Sequence, residues 1–335
     1  MKSTILVAGA GGFIGGHLVK FLLNKYGGQC RVRAVDRKPV PQWYQVDDRA
    51  ENWCRDLSDP VACEDVVVDC SDVYNLACDM GGMGFIERFR VQCMLSVLTN
   101  TNLLNAATDA GAQKYFYSSS ACAYNIDLQQ DPDCRALKES DAYPANAERG
   151  YGWEKLYSEI FCQEVHKERG VDTKIARFHN VYGPNGTWDG GREKAPAAIS
   201  RKVIEAKDNG WKHIDVWGDG TQNRSYMYID DCIKGIDLIM QCDELTATPI
   251  NLGSSELISV NELVDMASKI GDVELEKVYN LNAPRGVAGR NSDNTMIKEI
   301  LGWEPDTPFL VGLSRTYAWI YEQYMKRKKG EHVIQ

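Results

Sequence analysis

Apolar residues in the first half of the chain gather in short runs at residues 4–8, 31–35, 73–77, 114–118 and 173–178. Each is long enough for one buried strand and too short for a helix. Between them lie longer stretches with apolar positions at helical spacing, at 13–26, 88–110 and 151–169. Strands that alternate with helices in this way predict a parallel sheet covered on both faces. Beyond Phe178 the order loosens. Residues 180–198 are rich in glycine and proline, as in a loop that approaches a ligand. Short strands at 213–217 and 225–229 then mix with helices at 231–241, 259–270 and 310–325. The fold class expected is α/β: a doubly wound parallel sheet over residues 1–178, with a smaller C-terminal α/β region over 179–335, partly interleaved with the first.

Composition narrows the function. With 44% hydrophobic and 25% charged residues in 335, no run approaches the roughly 20 apolar residues of a membrane span. The apolar opening carries a lysine and breaks into glycines at once, which fits a buried strand better than a secretory leader. The formal net charge is −9 and the only basic run, 326–329, lies at the end of the chain, so no nucleic-acid partner is expected. Eleven cysteines, an odd number at wide spacings with no C-x-x-C pair, argue against a disulfide scaffold. Five scattered histidines give no metal-site spacing. A cytoplasmic protein with reduced thiols and no metal is expected.

Gly9-Ala10-Gly11-Gly12-Phe13-Ile14-Gly15 joins the first strand to the first helix. Glycine in such a turn permits unusual backbone angles and lets a pyrophosphate approach the helix N-terminus, and glycine inside the helix permits close packing on the strand. With glycines at 9, 12 and 15, and Phe13 and Ile14 opening the helix, the spacing is that of the short-chain dehydrogenase variety of Rossmann fold. Asp36 ends the second strand, where a carboxylate accepts from adenosine ribose hydroxyls and repels a 2′-phosphate, favouring NAD. Arg37 and Lys38 follow and offset part of that repulsion, so NADP stays open. Asp56 is a candidate for the adenine edge, or simply a capping carboxylate.

Tyr151 and Lys155 stand four residues apart on one helix face. A free tyrosine, with a pKa of about 10, is a poor base at neutral pH, but a neighbouring ammonium and a cationic nicotinamide stabilise its phenolate. It could then take a hydroxyl proton while hydride leaves the same carbon. Ser120 and Cys122 lie where the strand at 114–118 leaves the sheet at its carboxyl edge, the ligand-binding edge of such sheets. Ser120 can bond the reacting oxygen, and Cys122 is placed to act on a carbon acid.

Several segments resemble the GDP-mannose 3,5-epimerase family of extended short-chain dehydrogenases: Asp79-Met80-Gly81-Gly82-Met83-Gly84-Phe85-Ile86, Ser119-Ser120-Ala121-Cys122, Arg177-Phe178-His179-Asn180-Val181-Tyr182-Gly183-Pro184, Gly190-Gly191-Arg192-Glu193-Lys194-Ala195-Pro196 and Gly289-Arg290-Asn291-Ser292-Asp293-Asn294. The resemblance spans nearly the whole chain. It implies transient oxidation of a hexose at C4 by NAD, with Tyr151 as base and Lys155 in support. The resulting ketone acidifies C3 and C5. Cys122 and Lys194 then match the family's proton-transfer pair on opposite faces of the ring. It also implies substrate contacts at Gly81, Ser120, Ala121, Asn180, Glu193, Ala195, Lys202, Gln222, Asn223, Arg224 and Arg290, the arginines as clamps on the diphosphate. A GDP-linked sugar as substrate and a homodimer built through two helices per subunit belong to the same implication.

Departures at Tyr124-Asn125 and Ala288 bear on sugar or nucleotide specificity, so a related GDP-hexose or GDP-heptose is an alternative substrate. A C4 epimerase would leave Cys122 and Lys194 unused. A 4,6-dehydratase would call for an Asp-Glu pair where Ala121-Cys122 stands. A non-enzymatic NAD sensor would have no need of Tyr151, Lys155 and Ser120 together.

Overall fold

The computed structural model describes residues 3–331 and Val333. Six strands of the first half, β1 (Thr4–Ala8), β2 (Arg31–Asp36), β3 (Glu51–Cys54), β4 (Cys70–Asn75), β5 (Lys114–Ser120) and β6 (Asp172–Phe178), pair in parallel in the order β6-β5-β4-β1-β2-β3. The strand Pro249–Leu252 adds a seventh beside β6, again parallel. Strand order reverses between β1 and β4, and open α/β sheets bind ligands at the carboxyl ends of the strands beside such a switch. β1 is buried along its whole length, as its unbroken apolar run requires of a strand with helices on both faces.

Residues beyond Phe178 contribute to the first layer as well as forming their own. The seventh strand and the helix Ile229–Gln241, which packs on the helix Phe13–Tyr26, belong with the main sheet. The helices Ala195–Asn209, Val260–Gly271 and Phe309–Lys328 pack on one another. Beside them two strands pair in parallel, His213–Trp217 with Glu276–Asn280. A three-stranded sheet places Asn223–Ser225 between Leu257–Ser259 and Gly289–Arg290.

Three local expectations need correction. The helical stretch at 88–110 is three helices, Met83–Arg88, Arg90–Met94 and Ser96–Asp109. Phe89 leaves the helical region (φ −117°, ψ 44°), and its ring lies 4.9 Å from that of Phe85. The bend brings Ser96 Oγ to the backbone N–H of Asp79 at 2.9 Å. The glycine-rich stretch at 180–198 is not all loop: Val181–Tyr182 pairs with Met227–Tyr228, and a helix starts at Ala195 with Pro196 in its first turn, where a missing N–H costs nothing. The strand expected at 225–229 is two short strands, since Tyr228 already caps the helix that begins at Ile229. Among the described residues no helix is long and apolar enough to cross a membrane.

Candidate active site

A cleft of about 750 Å³ opens at the carboxyl ends of β1, β2, β4 and β5, lined by Gly9, Gly12, Phe13, Ile14, Gly15, Asp36, Asp56, Ser120, Tyr151 and Lys194 among others. A Cβ on Gly15 would collide with the Gly9 carbonyl, so only glycine lets the helix start this close to the strand. The helix is capped by Gly12, whose lack of a side chain leaves its first amides open to an anion. Asp36 Oδ2 accepts from Gly11 N at 3.1 Å, fixing the carboxylate at the cleft wall. Asp56 faces the same cleft but also accepts from Ser58 N at 3.0 Å and Ser58 Oγ at 2.8 Å, so the turn-forming and ligand-facing readings coexist. Glycine turn, open helix end and ribose-facing carboxylate together fit a dinucleotide.

Tyr151 begins the helix Tyr151–Arg169 and is almost fully buried. Burial holds its phenol well above the ordinary tyrosine range, and the neighbouring Cys78, Cys122 and Glu154 push the same way. Lys155 is buried beneath, its Nζ donating to Tyr117 Oη at 3.1 Å, 3.6 Å from Glu154 Oε2 and 5.4 Å from the centre of the Tyr151 ring. Burial lowers its pKa, but the neighbouring Glu154 carboxylate outweighs that and holds the ammonium above its ordinary value. Spacing alone brought Tyr151 and Lys155 onto one face. It did not reveal that Glu154 and Tyr117 take the lysine's contacts, leaving the phenol protonated in the absence of a cationic ligand.

Ser120 ends β5, and its Oγ accepts from Cys122 N at 3.2 Å, starting the 3-10 turn Ala121–Ala123. Ala121 is buried in that turn. Gly152, one residue after the tyrosine, is forced by the same turn: a Cβ there would strike the Cys122 carbonyl oxygen. Close packing of turn on helix thus locks Cys122 beside Tyr151, in one cluster with Phe85, Ile86 and Cys93. Burial raises the Cys122 thiol pKa and Glu148 adds to this, while Arg290 opposes both.

Arg290 is held by three side chains of the protein. Its three nitrogens are committed inside the protein: Nη1 to Cys122 Sγ at 3.2 Å, Nε to Gln129 Oε1 at 2.6 Å and Nη2 to Glu148 Oε2 at 3.0 Å. A buried guanidinium needs such partners, and one of them is the Cys122 thiol. Arg224 donates to the carbonyls of Asn223 at 2.8 Å, Ala288 at 3.1 Å and Val287. Burial, with Arg290 nearby, brings its pKa down to about 10.

Lys194 sits at the foot of the helix Ala195–Asn209 and faces the cleft. Burial lowers its pKa, favouring the neutral amine. Glu193 accepts from Gly191 N at 2.7 Å and Arg201 Nη2 at 3.3 Å, so it braces the loop that carries Lys194. Gly81 is pressed against Phe85, and Gly82 N donates to Arg192 O at 2.9 Å, joining the loop after β4 to that same segment. The remaining candidates stand apart from the cofactor cleft. Asn180 Nδ2 donates to Ser225 O at 3.2 Å, Asn223 Nδ2 to Pro132 O at 3.1 Å and Lys202 Nζ to Asp215 O at 2.8 Å. Gln222 is buried with Oε1 unpaired among the described residues. Among those residues no group of three His, Cys, Asp or Glu side chains is placed to hold a metal ion.

Residues 5–253 match the model of the NAD dependent epimerase/dehydratase family. The chain belongs to that family. Within it, the chain is 41% identical over 331 residues to the GDP-mannose 3,5-epimerase of Arabidopsis thaliana, covering 98% of this chain and 85% of the relative. It is 40% identical over 334 residues to GDP-mannose 3,5-epimerase 1 of Oryza sativa subsp. indica, covering 98% and 84%. Among solved structures of the epimerase/dehydratase fold, UDP-glucose 4-epimerase from Thermotoga maritima superposes with a TM-score of 0.84 at 24% identity, covering 98% of this chain and all of that one. Membership makes the enzyme NAD-dependent and accounts for the glycine-rich cleft. Sequence reasoning missed Cys78, Glu148 and Gln129, since none stands in a motif and they are brought to the site by the loops at Cys78 and Glu148 and by the end of the 3-10 helix Ile126–Gln129.

Proposed function

We propose that this enzyme inverts C3 and C5 of GDP-mannose through a transient ketone at C4. The arrangement that supports the reading is Cys122, bonded to Arg290 and packed in one cluster with Tyr151, together with Lys194, which lines the same cleft as Tyr151. A C4 epimerase has no use for such a pair. The curated relatives, at 40–41% identity over almost the whole chain, support the GDP-linked substrate.

NAD, when bound, supplies the hydride acceptor and donor for C4 and a positive ring near Tyr151. Gly12, Phe13, Ile14 and Gly15 would hold its pyrophosphate, and Asp36 its adenosine ribose. Tyr151 takes the C4 hydroxyl proton and later returns it, with Ser120 hydrogen-bonded to the same oxygen. Lys155, fixed by Tyr117 and Glu154, keeps a positive charge below the phenol. The ketone at C4 withdraws electrons from both neighbouring carbons. One of Cys122 and Lys194 then removes a proton from one face and the other delivers a proton to the opposite face, which is what inversion requires. Burial favours the neutral form of each group, which suits a neutral amine to take a proton from carbon and a neutral thiol to give one.

Incubation with GDP-mannose in deuterated water should place deuterium at C3 or C5. Cys122→Ala should abolish that exchange while leaving C4 oxidation intact; exchange at the parent rate in the variant would remove Cys122 from the mechanism.

The exposed apolar side chains of Trp153, Tyr157 and Ile160 follow one another at helical spacing on the helix Tyr151–Arg169, and Val91, Met94, Leu95 and Leu98 are also exposed on the adjoining segment. This patch supports a homodimer formed through that face. The ten cysteines other than Cys30 are free thiols, which supports the cytoplasm as the enzyme's compartment.

A further inference from the structure

Asp36 disfavours a 2′-phosphate, yet Arg37 and Lys38 beside it are the kind of residues that attract one. Both line the cleft, and both are engaged elsewhere. Lys38 Nζ donates to Gly11 O at 2.7 Å and lies 4.3 Å from the centre of the Tyr44 ring. Arg37 Nη2 donates to Asp79 Oδ1 at 2.6 Å. Asp79 comes from the loop after β4, is buried, has its backbone N–H held by Ser96 Oγ, and also meets Arg192 at 3.4 Å. A buried carboxylate anchored through its own backbone is a fixed anion, whereas the half-exposed Arg37 is free to swing if that anion is removed.

We propose that Asp79 sets the preference for NAD over NADP, by withholding Arg37 from the adenosine 2′ position. The proposal rests on the cleft being the dinucleotide site. Asp36 repels the phosphate directly. Asp79 acts at a distance by removing the cation that would compensate. It is therefore a specificity residue on a different strand end from the ribose-binding carboxylate, and no motif at residues 9–38 reveals it.

The test uses the purified protein equilibrated with equimolar NAD and NADP, desalted, and its retained nucleotides released with acid and quantified. The parent should retain NAD. Asp79→Asn, close in volume but uncharged, should raise the ratio of NADP to NAD about fivefold, the effect of one partly exposed charge pair. Arg37→Ala added to Asp79→Asn should return the ratio to the parent value, and Asp79→Glu should keep it there. Arg37→Ala alone should leave it unchanged, a result that stands even if Asp79→Asn fails to fold. An unchanged ratio in Asp79→Asn overturns the proposal. So does a raised ratio that survives loss of Arg37, or a ratio that moves with Arg37→Ala alone. A parent protein that retains neither nucleotide would instead overturn the dinucleotide reading of the cleft, and the proposal with it.

Discussion

Replacing Arg290 by methionine separates two readings of that residue. If Arg290 grips the substrate diphosphate, its loss weakens binding; if it acts on Cys122, its loss changes the thiol. Nη1 lies 3.2 Å from Sγ, and both groups are buried. A hydrogen bond to a charged group contributes roughly 1.5–3 kcal/mol. If that contribution goes to the thiolate, exchange should fall by about 10- to 150-fold at fixed pH. Methionine fills much of the volume, but it strands Glu148, which would itself raise the thiol further. Arg290→Met should therefore be paired with Glu148→Gln. The assay measures deuterium uptake at C3 and C5 under saturating GDP-mannose, alongside formation of the reduced nicotinamide by its absorbance. Exchange should collapse, C4 oxidation should persist, and exchange should recover partly as pH rises. A raised KM with unchanged exchange at saturation would refute the assignment and restore the diphosphate role.

Two further outcomes follow from burial and exposure. His179 is fully buried with Nε2 3.0 Å from Asn251 Oδ1, and burial brings its pKa from 6.5 down to about 3. In acid the unfolded chain takes up this proton first. Stability contributed by the neutral ring is thus complete above about pH 6.5 and lost as pH falls toward about 3, at up to about 1.4 kcal/mol per unit. Urea midpoints between pH 7 and 4 should decline less in His179→Gln; parallel curves for parent and variant would rule the histidine out. For the proposed dimer, Trp153→Glu with Tyr157→Glu buries two charges in the expected interface and should give a monomer by light scattering, with unchanged secondary structure; a dimer of undiminished affinity would show that the contact lies elsewhere.

Much of the sheet was legible because its strands are buried on both faces and so read as unbroken apolar runs. The first strand and the helices at 13–26 and 151–169 match the sequence boundaries. The seventh strand was hidden: Pro249–Leu252 is four residues long and joins the sheet by pairing with β6, a contact that periodicity does not encode. The single helix expected at 88–110 failed for a related reason, since its bends at Phe89 and Leu95 serve contacts with Phe85 and Asp79 rather than local propensity. In the site, Gly9, Gly15, Asp36, Tyr151 and Lys155 were readable because each belongs to a local pattern of fixed spacing. Arg290 was recognisable as functional, but its partner was not.

The amino-acid sequence alone determined the α/β alternation, the cofactor turn and the tyrosine–lysine helix face, all properties set within a few turns of backbone by sterics and period. Only the tertiary structure decided that Arg290 meets Cys122 across 168 residues, that Asp79 restrains Arg37, and that Glu154 rather than Tyr151 pairs with Lys155. Desolvation makes each of those contacts matter: a charge leaving water must find its partner, and the folded chain, not the local motif, settles which partner is near.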